Sequence, residues 1–172
     1  KFPNELTSIG TFAFQDCDAL TEVTLPDGLS SIGESTFQDC DALTTVNFPD
    51  GLTSIGDYAF GECYGLETIN LPEGIESIGS NAFYITSLTN VTLPSTISEI
   101  SEGAFSYNDQ LKMIVIPGNV KTICKSAFQD CDNLNSIKIP DGVTVIGQSA
   151  FQGCDNLNSI KIPDGVTVIG RS

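Results

Sequence analysis

Six cysteines and 22 carboxylates are the residues of this 172-residue chain that could do chemistry, and their spacing decides which chemistry. Cys17, Cys40, Cys63, Cys131 and Cys154 occupy one column of a repeat 23 residues long. Zinc sites draw thiolates from close pairs such as Cys-x-x-Cys, so this spacing argues against zinc. Equivalent cysteines on neighbouring coils would stand about 5 Å apart, which meets the Cα range of a disulfide. Their Cβ vectors would nonetheless point the same way, a poor pose for a bond. The expectation is a ladder of buried free thiols filling space as small apolar groups. Asn108 takes the cysteine place in one repeat, and Cys124 stands where other repeats carry glycine.

The acids invite a second chemistry. Asp16 and Asp18, Asp39 and Asp41, and Asp130 and Asp132 flank cysteines, while Asp27, Asp50 and Glu73 follow prolines. Stacked carboxylates repel, and a hard cation such as calcium would relieve them. Neither an EF-hand loop nor a Gly-Gly-x-Gly-x-Asp repeat is present, so solvated acidic loops are the expectation, with no metal and no cofactor. The chain has no histidine, which excludes imidazole bases and ligands. No glycine-rich phosphate loop occurs, and the carboxylate pairs recur with the repeat instead of converging once. No catalytic residue is expected, and the chain reads as not an enzyme.

Charge sorts the partners. Residues 2–111 hold 17 Asp or Glu and no Lys or Arg, whereas residues 112–172 hold 5 acids and 6 bases. A field of that sign repels phosphate backbones, so nucleic acid is not an expected partner. No apolar run is long enough to cross a membrane as a helix.

All of these residues are placed by one periodicity. The eight prolines, Pro3, Pro26, Pro49, Pro72, Pro94, Pro117, Pro140 and Pro163, recur every 23 residues with a single interval of 22. An aliphatic residue follows each proline by three, isoleucine by six, and phenylalanine (Phe14 to Phe151) by eleven. Such a unit cannot bury its own apolar side, so copies must stack in register to form one long core. Leu-x-x-Val-x-Leu reads as a short strand, since its last three positions alternate. Pro-Asp-Gly then supplies turn chemistry. Ala-Phe-x-x-Cys is short and is predicted to form one turn of 3₁₀ or α-helix. The predicted fold is a solenoid of about seven and a half 23-residue coils, with short parallel strands and short helical turns.

The unit Leu-x-x-Val-x-Leu-Pro-x-x-Leu-x-x-Ile-Gly-x-x-Ala-Phe-x-x-Cys resembles the BspA-type (treponemal-type) leucine-rich repeat and covers essentially the whole chain. The resemblance implies a leucine-rich-repeat solenoid of the α/β superhelix type. It also implies a secreted or surface-anchored protein, hence an extracellular or cell-surface location and roles in adhesion or matrix binding. It names no ligand, because the motif residues are core residues.

The outward positions of the strand are where recognition is expected: Glu22, Thr24, Thr45, Asn47, Glu67, Asn70, Asn90, Thr92, Lys112, Met113, Val115, Lys138 and Lys161. In a coil that curves as the family does, this strip is concave. Met113 and Val115 depart from the polar pattern and, beside lysines, mark either a contact point for a protein or glycan partner or a place that packs against a further neighbour. Asn90-Val91-Thr92 is a glycosylation sequon, meaningful only in a eukaryotic secretory route. Residues 1–172 read as one domain, a fragment of a longer array, since neither end shows a polar capping repeat. The alternative role is a structural element that self-associates end to end.

Overall fold

The structure is a computed structural model and describes residues 2–171, so Lys1 and Ser172 of the expected domain lie outside it. The chain is a β-solenoid of about six turns with about 23 residues per coil. Twelve strands of two or three residues are present among the described residues, numbered β1–β12 in chain order. One face, called the front, carries β1 (Glu22–Thr24), β3 (Thr45–Asn47), β6 (Asn90–Thr92), β8 (Met113–Val115) and β10 (Ser136–Ile137). The back carries β2 (Ser31–Ile32), β4 (Ser54–Ile55), β5 (Ser77–Ile78), β7 (Glu99–Ile100), β9 (Thr122–Ile123), β11 (Val145–Ile146) and β12 (Val168–Ile169). All pairs are parallel and in register, so Val23 lies on Val46 and Ile32 on Ile55. Thr68 joins the front by a bridge to Asn90, giving that face six rungs. The seventh expected front rung, around Ser159, forms no strand.

The core is the set of columns the periodicity marks out. Leu29, Ile32, Phe37 and Leu43 in one coil, and their equivalents in the inner coils, are buried. Phe14, Phe37, Phe60, Phe83, Phe105, Phe128 and Phe151 form one continuous stack, with ring centroids 5.4–5.9 Å apart and planes within 12° of parallel. Repeat spacing holds each ring directly over the last, and burial of a phenylalanine side chain contributes on the order of 2–3 kcal/mol.

The Ala-Phe-x-x-Cys segment is not helical. It forms hydrogen-bonded turns in which two residues per coil, four apart, have positive φ: Ser35 (50°) and Asp39 (59°), then Tyr58 (53°) and Glu62 (61°). A left-handed residue every fourth position stops the i→i−4 pattern of an α-helix. Alternate amides turn outward to the next coil instead. Ser35 N–H donates to Asp57 O, Phe37 N–H to Ala59 O, and Asp39 N–H to Gly61 O, at 2.8–2.9 Å. The same three bonds recur between successive coils as far as Asp130 N–H to Gln152 O. This edge is therefore a third ladder. It runs on where the front and back sheets are interrupted, between β3 and Thr68 and between β5 and β7.

Candidate functional site

All thirteen outward residues expected to form a recognition strip are exposed. Strand pairing aligns them in rails: Glu22 beside Thr45, Asn90 beside Met113, and in the next rail Thr24 beside Asn47 and Thr92 beside Val115. Asn70, Lys138 and Lys161 keep the same offset in their coils but fall outside the strands, while Glu67 and Lys112 stand one position ahead of the first rail. Asn47 Nδ2 donates to Thr24 Oγ1 at 3.1 Å, and Thr44 Oγ1 to the Thr21 carbonyl at 3.1 Å. The polar half of the strip is thus partly self-bonded. Met113 and Val115 leave 49% and 45% of their surfaces open on the same strand, beside the exposed Lys112.

The cysteine column turns inward, and its thiols are free. Four of its five members have a task beyond filling space. Cys40 Sγ donates to Phe14 O, Cys63 to Phe37 O, Cys131 to Phe105 O and Cys154 to Phe128 O, all at 3.1 Å. Burial, the largest cause, pushes the Cys40 and Cys154 thiols up to about 11 and Cys63 to about 12. Burial likewise raises Cys131 and Cys124. Thiols held protonated in this way are neither nucleophiles nor metal ligands at neutral pH. Among the described residues no group of three or more Cys, Asp or Glu side chains is placed to hold a metal ion.

The column changes in the middle of the chain. Thr86 and Asn108 replace two cysteines, and both are buried. Asn108 Nδ2 donates to Phe83 O (2.6 Å) and Phe105 O (2.9 Å), while its Oδ1 accepts from the Thr86 backbone N–H (3.3 Å) and the Thr86 hydroxyl. One carboxamide therefore satisfies two coils where thiols elsewhere satisfy one bond each.

Above this pair lies a feature that inspection of the sequence missed. The short coil, which lacks one residue between Phe83 and Leu88, opens a recess of about 690 Å³. Tyr64, Ile85, Ser87, Tyr107, Asp109, Asp130 and Asp132 are among its lining residues. Tyr64 stands in the column held elsewhere by Asp18, Asp41, Asp109, Asp132 and Asp155, and Tyr107 in that of Asp16, Asp39 and Asp130. That double substitution, next to the only 22-residue interval, was the available signal.

The repeat unit, its in-register stacking and its seven-ring core fix the family. A model described as BspA type leucine rich repeat region matches in six copies, over residues 1–112 and 99–172. The chain belongs to the BspA-type leucine-rich repeat family. Among solved structures, a T. pallidum leucine-rich repeat protein is similar at 31% identity and TM-score 0.81, over 90% of this chain and 72% of its own. A Bacteroides ovatus leucine-rich repeat protein matches at 30% identity and TM-score 0.74, over 96% of this chain. This BspA-type chain spans 49% of the length of the Bacteroides protein. The pneumococcal vaccine antigen PcpA, at 24% identity and TM-score 0.56 over 88% of this chain and 47% of its own, shares the fold. No curated protein matches the chain. No helix of the described residues is long and apolar enough to cross a membrane.

Proposed function

We propose that this BspA-type chain is a non-enzymatic recognition module of a secreted or cell-surface protein, binding a protein or glycan partner through its front strands. The observation that carries the reading is the break in the polar rails at β8. Met113 and Val115 stand exposed side by side, with Lys112 adjacent, on a strand whose neighbours present Asn90 and Thr92. An apolar pair ringed by polar and basic groups is the layout of a contact centre: the apolar atoms supply affinity and the rim supplies specificity. The solenoid holds these residues on rigid strands, so binding orders little of the scaffold.

The test is an array of immobilised matrix proteins and host glycans probed with labelled protein. The native chain is expected to bind at least one feature. Replacing Lys112→Ser, Met113→Thr and Val115→Thr together is expected to weaken that binding about tenfold or more while leaving thermal unfolding within a few degrees. Equal binding by native and substituted protein removes the front face from the reading, and a blank array removes the recognition role.

A further inference from the structure

The recess in the short coil combines three properties. It is concave, it is aromatic, and it is lined by carboxylates that form no ion pair among the described residues. Tyr107 and Tyr64 leave 44% and 49% of their surfaces open. Tyr84 packs edge-on to Tyr107 at 5.5 Å and 78°, and Tyr58 to Tyr84 at 6.4 Å and 76°, so Tyr107 is the end of a three-coil aromatic band, while Tyr64 stands apart from it. Ser87 Oγ donates to the Tyr64 carbonyl at 2.6 Å, and Gln129 Nε2 donates to Tyr107 Oη at 3.3 Å, which anchors both flanks. Asp109, Asp130 and Asp132 line one side, opposite Tyr64 in sequence order along the stack. Among the described residues the single ion pair is Lys125 with Glu102, elsewhere on the surface.

Two further observations agree. The Tyr64 hydroxyl is pushed up by burial and by the charges of Glu62, Asp39 and Asp41, so Tyr64 itself stands in a negative field. Ile85 is a β-branched residue held at φ 50°, a conformation that such side chains avoid, and it is held at the recess wall.

We infer that this recess is a second binding site, which takes an arginine-bearing segment of a partner protein. A guanidinium stacks on a tyrosine face while its edge donates paired hydrogen bonds to a carboxylate, and its methylenes cover apolar surface such as Ile85. Lysine satisfies the charge without the planar stack. A neutral sugar stacks on the ring but leaves the carboxylates uncompensated. The site is on a different edge from the front strands and does not depend on them.

The probe is an amide-capped, fluorescein-labelled tetra-arginine peptide, followed by anisotropy against the whole chain at low and at physiological salt. The expected result is saturable binding that exceeds tetra-lysine binding at least fivefold and weakens with salt. The deciding variant is Tyr64→Ser with Tyr107→Asn. Serine is the residue this column carries at position 87, asparagine tolerates positive φ, and net charge is unchanged. The variant should bind tetra-arginine at least tenfold more weakly. Asp109→Asn with Asp132→Asn should do the same, whereas Asp27→Asn with Asp50→Asn, an equal loss of charge elsewhere, should change affinity less than twofold. Equal binding by the tyrosine variant, equal preference for lysine, equal loss in the two aspartate variants, or no binding at all each overturns the assignment. Tighter binding of a neutral oligosaccharide than of tetra-arginine overturns it in favour of a sugar.

Discussion

Residues 132–147 and 155–170 carry the same sixteen amino acids and do not have the same structure. In the first copy Leu134, Ile137, Ile139, Val143 and Ile146 are buried, and Ser136–Ile137 is a strand paired to β8. In the second, Leu157 and Ile160 are half-buried, Ile162 is exposed, and no front strand forms. Ile146 is 3% exposed and its equivalent Ile169 is 62% exposed. Since the local sequence is identical, the difference within residues 1–172 comes from the neighbouring coils that each copy stacks against. A coil here owes its order to the coil stacked above it, the one-dimensional logic expected of repeat arrays.

The sharpest way to break that comparison is to make one substitution at both places. Ile146→Ala removes a branched side chain from between Ile123 and Ile169 and leaves a cavity, which should cost about 2–4 kcal/mol. Ile169→Ala, in the same sixteen-residue context, should cost about 1 kcal/mol or less. Urea unfolding of the two variants measures the difference. Equal losses would mean that sequence, not stacking, decides burial.

A smaller effect, from about 1 to 3 kcal/mol, is expected where the ladder itself changes chemistry. Asn108→Ala strips hydrogen bonds from Phe83 O and Phe105 O and leaves the buried Thr86 hydroxyl without its acceptor. Asn108→Cys restores the residue used by neighbouring coils, and its thiol can reach Phe83 O as Cys131 reaches Phe105 O. It should recover part of the loss, and Asn108→Cys with Thr86→Val should recover more, because the orphaned hydroxyl is gone. Thermal unfolding of the set reads the order, and equal Tm values for native protein and Asn108→Ala would show that the carboxamide satisfies nothing.

How much of this could be read from the sequence follows from which interactions leave a mark on side-chain type. Phe37, Ile55 and Leu66 are buried because apolar side chains at a fixed period have only one place to go, so the core, the parallel strands and the exposure of Met113 and Val115 were all legible. The third ladder was not. It is built from backbone amides, and its only side-chain trace is a preference for Asp, Asn, Ser or Gly at Asp39, Asn81, Ser126 and Gly153, where left-handed φ is cheap for asparagine, aspartate and glycine. Asp16, Asp39 and Asp130, read from the sequence as members of solvated acidic loops, also hold left-handed positions of this ladder. The recess was half legible: Tyr64 and Tyr107 break two aspartate columns, but only the missing residue before Leu88 shows that the break is concave.

The last test of the stacked-coil picture uses its thiols, where the effect per residue is smallest. Cys63, inside the stack, is raised to about 12, and Cys154, beside the last coil, to about 11, so the inner position holds its proton more firmly. In the unfolded chain a thiol ionises near its ordinary value of about 8.5–9. The folded form therefore binds more protons than the unfolded form above that pH, and stability must fall as pH rises. Each shifted thiol contributes its full share below about pH 9 and loses on the order of 1 kcal/mol of it by pH 10. Urea unfolding at pH 8 and pH 10 should show a drop for the native chain that is smaller in Cys63→Ala by about that amount, whatever the alanine costs at pH 8. The midpoint at which the drop levels off should lie higher for Cys63 than for Cys154, because the flattening occurs where the folded thiol finally ionises. A native chain equally stable at both pH values would mean that the thiols meet water in the folded state, and that the cysteine column is not sealed by its neighbours.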